Sequence, residues 1–163
     1  MAFTLRDAVP ADCADIARLV QALAAFERLA HEARATEADF RRALFGNPPR
    51  AQAALAIVDG KAVGLALWFY NFSTFMGRAG LYVEDVFVEP PHRGAGIGRA
   101  FFRMMAVRAV QEGCGRMEWS VLDWNTPAID FYRALGAEPM SEWTVQRLSG
   151  DTLHRLAQEH THG

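Results

Sequence analysis

"HRGAGIG", residues 92–98, stands between a run of strand formers, Leu81–Val88, and a run of helix formers, Ile97–Gln111. Three glycines alternate with small or apolar residues behind an arginine. Glycine is needed where a backbone must take positive φ or let another group come close. A nucleotide P-loop would end in Gly-Lys-Ser/Thr, but Gly98 is followed by Arg99 and Ala100. A dinucleotide loop would place G-x-G-x-x-G directly after its strand; here the spacing is G-x-G-x-G, and Glu89-Pro90-Pro91-His92 intervene. Glu118 lies at about the distance of a ribose-binding acid, yet it falls at the start of a strand rather than the end. A third reading is a helix N-terminus that holds a pyrophosphate on exposed backbone N–H groups, with the helix dipole and Arg93 adding favourable charge. The plain alternative is a turn that needs glycine only for its shape.

Outward from the loop, the chain alternates strands and helices. Phe3–Arg6 predicts a short strand. Pro10–Leu29 predicts a helix, with Pro10 in the first turn, Asp12 and Asp15 at its positive end, and Ile16, Leu19, Val20, Leu23 and Phe26 at helical spacing. Thr36-Glu37-Ala38-Asp39 has the form of a capping box opening a helix at Glu37–Leu44. Gln52–Val58 and Ala62–Phe72 predict strands joined by Asp59-Gly60, a two-residue hairpin signal. Leu81–Val88 is the next strand and Ile97–Gln111 the next helix. Met117–Leu122 predicts a strand, Thr126–Leu135 a helix stopped by Gly136, Thr144–Leu148 a strand, and Asp151–Gln158 a helix capped by Asp151. The pattern βα(α)βββαβαβ implies an α/β protein of the α+β type: a mixed, mostly antiparallel sheet flanked by helices, not a series of βαβ units.

At 163 residues the expectation is a single domain spanning 1–163, and the 51% apolar content is enough for one core. A net charge of −2 gives no reason to expect nucleic acid or an anionic membrane surface as a partner. Cys13 and Cys114 lie in different predicted segments and read as reduced thiols, which points to a cytoplasmic protein. The opening MAFTLRDAVP lacks a basic stretch followed by an apolar one, so no secretory leader is expected. The longest apolar run, Val63–Tyr70, is too short to cross a bilayer. No zinc-type spacing exists, and Glu159–Gly163, despite its histidines, reads as a solvated terminus; no metal is expected.

Arg-x-x-Gly-x-Gly, here Arg93, Gly96 and Gly98, resembles the acetyl-CoA pyrophosphate loop of the GNAT superfamily of N-acetyltransferases. "LYVEDVFVEPPHRGAGIG" (81–98), "WNTPAIDFYRALGA" (124–137) and "LRDAVPADCADIARLVQALAAFE" (5–27) resemble more narrowly the spermidine/spermine (diamine) acetyltransferases. The resemblance runs from about Leu5 to the last helix. It implies a GNAT fold with splayed fourth and fifth strands, acetyl-CoA as cosubstrate, a small-molecule amine as acceptor and a homodimer.

Acetyl transfer from a thioester to an amine poses three problems. An alkyl ammonium has a pKa near ~10.4, so about one molecule in a thousand is nucleophilic near pH 7, and a carboxylate must accept its proton. The carbonyl oxygen gains charge and needs a donor, which a backbone N–H on an irregular strand can supply. The departing thiolate needs a proton, which a placed phenol can deliver. Glu84 and Asp85 sit in mid-strand, where acids are costly unless paired or solvated, and alternation predicts that they face opposite sides. Salt bridging is the plain account of both.

By resemblance, Glu84 is the base, acting directly or through water, while Asp85 meets a cationic substrate or supports the sheet. Tyr132 is the general acid at the sulfur, against the plain reading of a core aromatic. Asn125 bonds the pantetheine arm and caps its helix. The backbone of Val86, Phe87 and Val88 pairs with the pantetheine amides, and the loop Arg93, Gly94, Ala95, Gly96, Ile97, Gly98 and Arg99 holds the pyrophosphate.

Glu27 matches an acidic family position that meets the substrate amine, and Trp124 is a candidate for the acceptor site. Trp68, Trp119 and Trp143 are assigned to core or interface. The chain departs from the diamine enzymes in "NFSTFMGRAG" (71–80), where Ser73 and Phe75 replace an acid and a tryptophan. That favours a smaller or less charged amine. Neither Cys13 nor Cys114 is placed as an acyl carrier, so direct attack in a ternary complex is expected. An amino acid, a drug or a protein N-terminus as acceptor, and a non-catalytic acyl-CoA sensor, remain as alternatives.

Overall fold

The computed structural model describes Ala2–Glu159; the histidines of the terminal pentapeptide, His160 and His162, lie outside the described residues. Five strands form one sheet in the order β1-β2-β3-β4-β5: β1 (Thr4–Asp7), β2 (Gln52–Val58), β3 (Lys61–Ser73), β4 (Arg78–Val88) and β5 (Met117–Glu118). The first four run antiparallel, and β5 joins β4 in parallel. The helices are α1 (Cys13–Phe26), α2 (Glu37–Phe45), α3 (Ile97–Gln111), α4 (Thr126–Ala134) and α5 (Gly150–Gln158). The residues group into two compact units, Met1–Leu122 and Asp123–Gly163.

In the first unit, helices cover both faces of the sheet. Ile16 and Leu19 of α1 and Leu44 of α2 pack with Ala53, Leu55, Leu65, Leu67 and Phe87 on one face. On the other, Phe101 of α3 approaches Gly64, and the Arg108 guanidinium sits 5.0 Å from the Trp68 ring. Trp68, Phe101, Leu55 and Leu65 are fully buried, which at about 1.5–3 kcal/mol per large apolar side chain makes this sandwich the main source of stability. Local signals close the elements. Thr36 Oγ1 accepts from Asp39 N at 3.3 Å, while the Asp39 carboxylate takes the Thr36 N–H at 2.8 Å, completing the capping box. Asp59 and Gly60 turn β2 into β3 with φ of +48° and +77°, the type I′ arrangement. Asp12 ends a 3-10 turn (Pro10–Asp12) instead of lying inside the helix. It is bonded by Arg6 at 2.7 and 2.9 Å, which holds its carboxyl below the usual range and ties β1 to α1.

Three expectations need correction. The Met117–Leu122 strand is only Met117–Glu118, because β5 leaves β4 after two residue pairs. Thr144–Leu148 forms no strand among the described residues: Val145 and Leu148 are exposed, and alternation without a neighbouring ladder leaves the backbone solvated. Asp151 is not the cap of α5, since Ser149 occupies that position and Asp151 lies in the first turn. In the second unit α4 ends as expected, with Gly136 at φ +93° and its N–H on Arg133 O at 2.9 Å.

Candidate active site

The centre of β4 is irregular. Leu67 of β3 stands opposite Asp85, and its neighbour Trp68 stands opposite Val83, so Glu84 is an extra residue in the ladder. Such a bulge resets the alternation that the sequence implies. Cross-strand partners share a face, so Asp85 lies with Leu67 and Phe87 on the α1 side of the sheet. Glu84 is exposed and Asp85 half-buried. The bulge thus interrupts the strict alternation at these two acids, and the charge of Glu84 is felt by Asp85. Burial pushes the Asp85 carboxyl up to about 6, helped by the charge of Glu84 and then of Glu27. Glu27, directly after α1, is itself raised by burial. The carboxylates at the end of α1 and in the middle of β4 thus act on one another electrostatically, a setting that favours a cation.

Beside these carboxylates the sheet opens. β5 pairs only Met117 with Leu81 and Glu118 with Tyr82. From Val83 to Val88, β4 has β3 on one side and no strand of the described residues on the other. Main-chain groups along this edge can pair with an extended ligand in place of a strand. Phe87 is buried in the core, so any contact it makes with such a ligand is through its backbone.

The glycine loop follows. A 3-10 turn at Pro90–His92 leads into Gly94 and Gly96, with φ of +81° and +85°. A Cβ at either would meet nothing within 4 Å, so glycine is required there for conformation and the space in front is open. Gly96 caps α3 with no side chain, and the first intrahelical bond runs from Ala100 N to Gly96 O at 3.0 Å. The N–H groups of Ile97, Gly98 and Arg99 therefore have no acceptor within the helix. Ile97 is buried and anchors this end; Ala95 and Gly98 are partly exposed and Arg99 is exposed. The Arg93 side chain runs elsewhere. Its Nε donates to Val88 O at 2.8 Å, and its guanidinium lies 4.7 Å from the centre of the Phe26 ring and 5.6 Å from that of Phe87. Sequence reasoning had no signal for Phe26 as a neighbour of this loop, since a helix-end aromatic at core spacing reads as packing.

In the second unit, Asn125 Oδ1 accepts from Ala128 N at 3.3 Å and caps α4, leaving the amide donors outside the cap. Tyr132 is half-buried, with its ring 5.7 Å from that of Phe131. Trp124 is 44% exposed. Of the departures from the diamine pattern, Ser73 is a turn residue: its Oγ accepts from Met76 N at 3.2 Å. Phe75 is fully exposed at the β3–β4 tip. Among the described residues, no three His, Cys, Asp or Glu side chains gather as a metal site, and no helix is long and apolar enough to cross a membrane.

A bulged fourth strand with an open edge, followed by a glycine loop at a helix start, is the arrangement of an acyl-CoA-handling fold. The chain matches the Acetyltransferase (GNAT) family over residues 16–137. It is 36% identical to a thialysine N-epsilon-acetyltransferase of Bos taurus over 96% of this chain and 99% of that one. It is 29% identical to an L-ornithine N5-acetyltransferase of Arabidopsis thaliana, over 93% and 86% of the two chains. An integron cassette protein of Vibrio cholerae superposes with a TM-score of 0.82 at 25% identity, over 98% and 99%. The chain belongs to the GNAT family of acetyltransferases. It is an amine N-acetyltransferase, in a family whose cosubstrate is acetyl-CoA.

Proposed function

We propose that this enzyme acetylates the side-chain or terminal primary amine of a small cationic molecule, a lysine analogue, ornithine-like amino acid or diamine, from acetyl-CoA. The observation that carries this reading is the electrostatic coupling of Asp85 to Glu84 and Glu27 beside the open β4 edge. Relatives with full-length similarity are named for thialysine and ornithine as acceptors. The backbone of Val86–Val88 pairs with the pantetheine amides, and the N–H groups from Gly94 through Arg99 cradle the pyrophosphate. Asn125 offers its amide to the pantetheine arm.

Asp85, ionised above about pH 6, holds the incoming ammonium with Glu27; Trp124 lines the acceptor side. Glu84, exposed at the bulge, takes the proton directly or through water. The amine nitrogen then attacks the thioester carbonyl carbon. The C–N bond forms, the C–S bond breaks, and the thiolate leaves with a proton from the Tyr132 hydroxyl. The products are the N-acetyl amide and free coenzyme A.

The whole of 1–163 acts as one catalytic domain, a view supported by the family match, which continues from the first compact unit into the start of the second. The working form is a cytoplasmic homodimer. Its thiols, Cys13 and Cys114, are unpaired, and Trp143, Val145, Leu153 and Leu156 leave apolar surface for a second copy to cover. Thiol-release assays with thialysine, ornithine, lysine, putrescine and spermidine test the acceptor. Turnover with at least one of the short amines supports the reading, whereas acetyl-CoA binding with no turnover on any overturns it. Sedimentation at micromolar concentration tests the dimer.

A further inference from the structure

The guanidinium of Arg93 touches three things at once: the Val88 carbonyl at the end of β4, the Phe87 ring in the core and the Phe26 ring at the end of α1. Its own backbone N–H is committed to Pro90 O at 3.2 Å, closing the turn before Gly94. Phe26 is the last residue of α1, Glu27 follows it, and Arg28 then reverses the chain at φ +61°. Glu27 is thus held between two fixed points: a ring under a guanidinium and a left-handed backbone turn.

We propose that Arg93 is a positioning residue that ties the coenzyme loop to the acceptor end of α1, so that filling the loop sets Glu27 for the amine. This rests on the reading of the site as an amine acetyltransferase. A shift of the loop when the coenzyme binds acts first on Arg93, which directly precedes Gly94 and follows the Pro90–His92 turn. Through the flat face of Arg93 that movement reaches Phe26 and hence Glu27. Lysine cannot replace it: an ammonium keeps the charge but loses the planar stack and the fixed angle between stack and Nε–H donor. Coupling of this kind is reciprocal in binding, so bound amine tightens acetyl-CoA by the same factor.

The test is a double-mutant cycle on Arg93→Lys and Phe26→Leu, reading the calorimetric Kd of acetyl-CoA and the steady-state KM of the amine. Each single substitution is expected to leave acetyl-CoA affinity within about twofold and to raise the amine KM about three- to tenfold, the scale of one exposed cation–π contact plus its hydrogen bond. The double variant is expected to be no worse than either single, since both break one contact. Phe26→Tyr, which keeps the ring face, is expected to behave as wild type. Additive singles overturn the proposal. So does an Arg93→Lys enzyme that loses acetyl-CoA affinity with its amine KM unchanged, which would make the side chain a phosphate ligand. A wild-type enzyme that acetylates no amine overturns the functional reading instead, and this proposal with it.

Discussion

Asp85 stands directly opposite Leu67 across β3 and β4, although the neighbouring pair, Val83 and Trp68, is set one residue out of step with it. The extra residue turns a carboxylate toward the apolar side of the sheet, where Leu67 and Phe87 pack. Its pKa is raised from the ordinary 3.8 to about 6, so between those values the folded chain binds a proton that the unfolded chain has released. Stability is therefore lost as pH rises from about 4 to 6 and stays lost above. Asp85→Asn is expected to stabilise the fold at pH 7.5 by roughly 2–3 kcal/mol and to change little near pH 4. Urea denaturation at the two pH values measures this; equal effects at both would contradict it.

The same ionisation shapes the rate. If Asp85 must be charged to hold an ammonium, kcat/KM for the amine rises through an acidic limb near pH 6 and then levels. Asp85→Asn is expected to flatten that limb and raise the amine KM. Glu84→Gln, which removes the exposed carboxylate, is expected to keep the limb and lower kcat by about 10²-fold, the lower range for loss of a general base.

Tyr132→Phe is expected to lower kcat by about 10²-fold while leaving the acetyl-CoA Kd unchanged, since the hydroxyl acts only when the sulfur leaves. Unchanged turnover from pH 6 to 10 would remove Tyr132 from the mechanism.

Gly96 and Gly60 form a matched pair: both have positive φ, and a Cβ at either meets nothing within 4 Å. Gly96→Ala and Gly60→Ala should each cost the fold about 1–2 kcal/mol. Only Gly96→Ala, whose methyl enters the space in front of α3, should weaken acetyl-CoA, by about tenfold or more. Calorimetric titration of the two variants separates the grip on the coenzyme from backbone strain.

Much of the fold was legible because its signals are local. The capping box at Thr36–Asp39, the Asp59-Gly60 turn, the span of β2 and the span of α3 each depend on neighbours within a few residues. The glycine loop was legible for the same reason, since Gly94 and Gly96 carry their conformational need in their identity. What depends on register was not. Nothing in "YVEDVFV" announces that Glu84 is skipped by the ladder, so period-two alternation could not say which face Asp85 takes. Thr144–Leu148 has strand-like composition but pairs with no strand among the described residues, and composition cannot supply a partner. The direction of the Arg93 side chain depends on Phe26, nearly seventy positions earlier, and no short motif encodes it.

The unpaired stretch of β4 from Val83 to Val88 has a cost in the test tube. Main-chain donors and acceptors left in a row invite any extended polypeptide, including a sister molecule in a concentrated sample. This edge has no lysine to repel a visitor; its guards are the negative charge at Glu84 and the two prolines that follow at 90 and 91. Glu84→Gln, which removes that charge, should therefore favour clumping along this rim, and ligand occupying it should keep stocks clear.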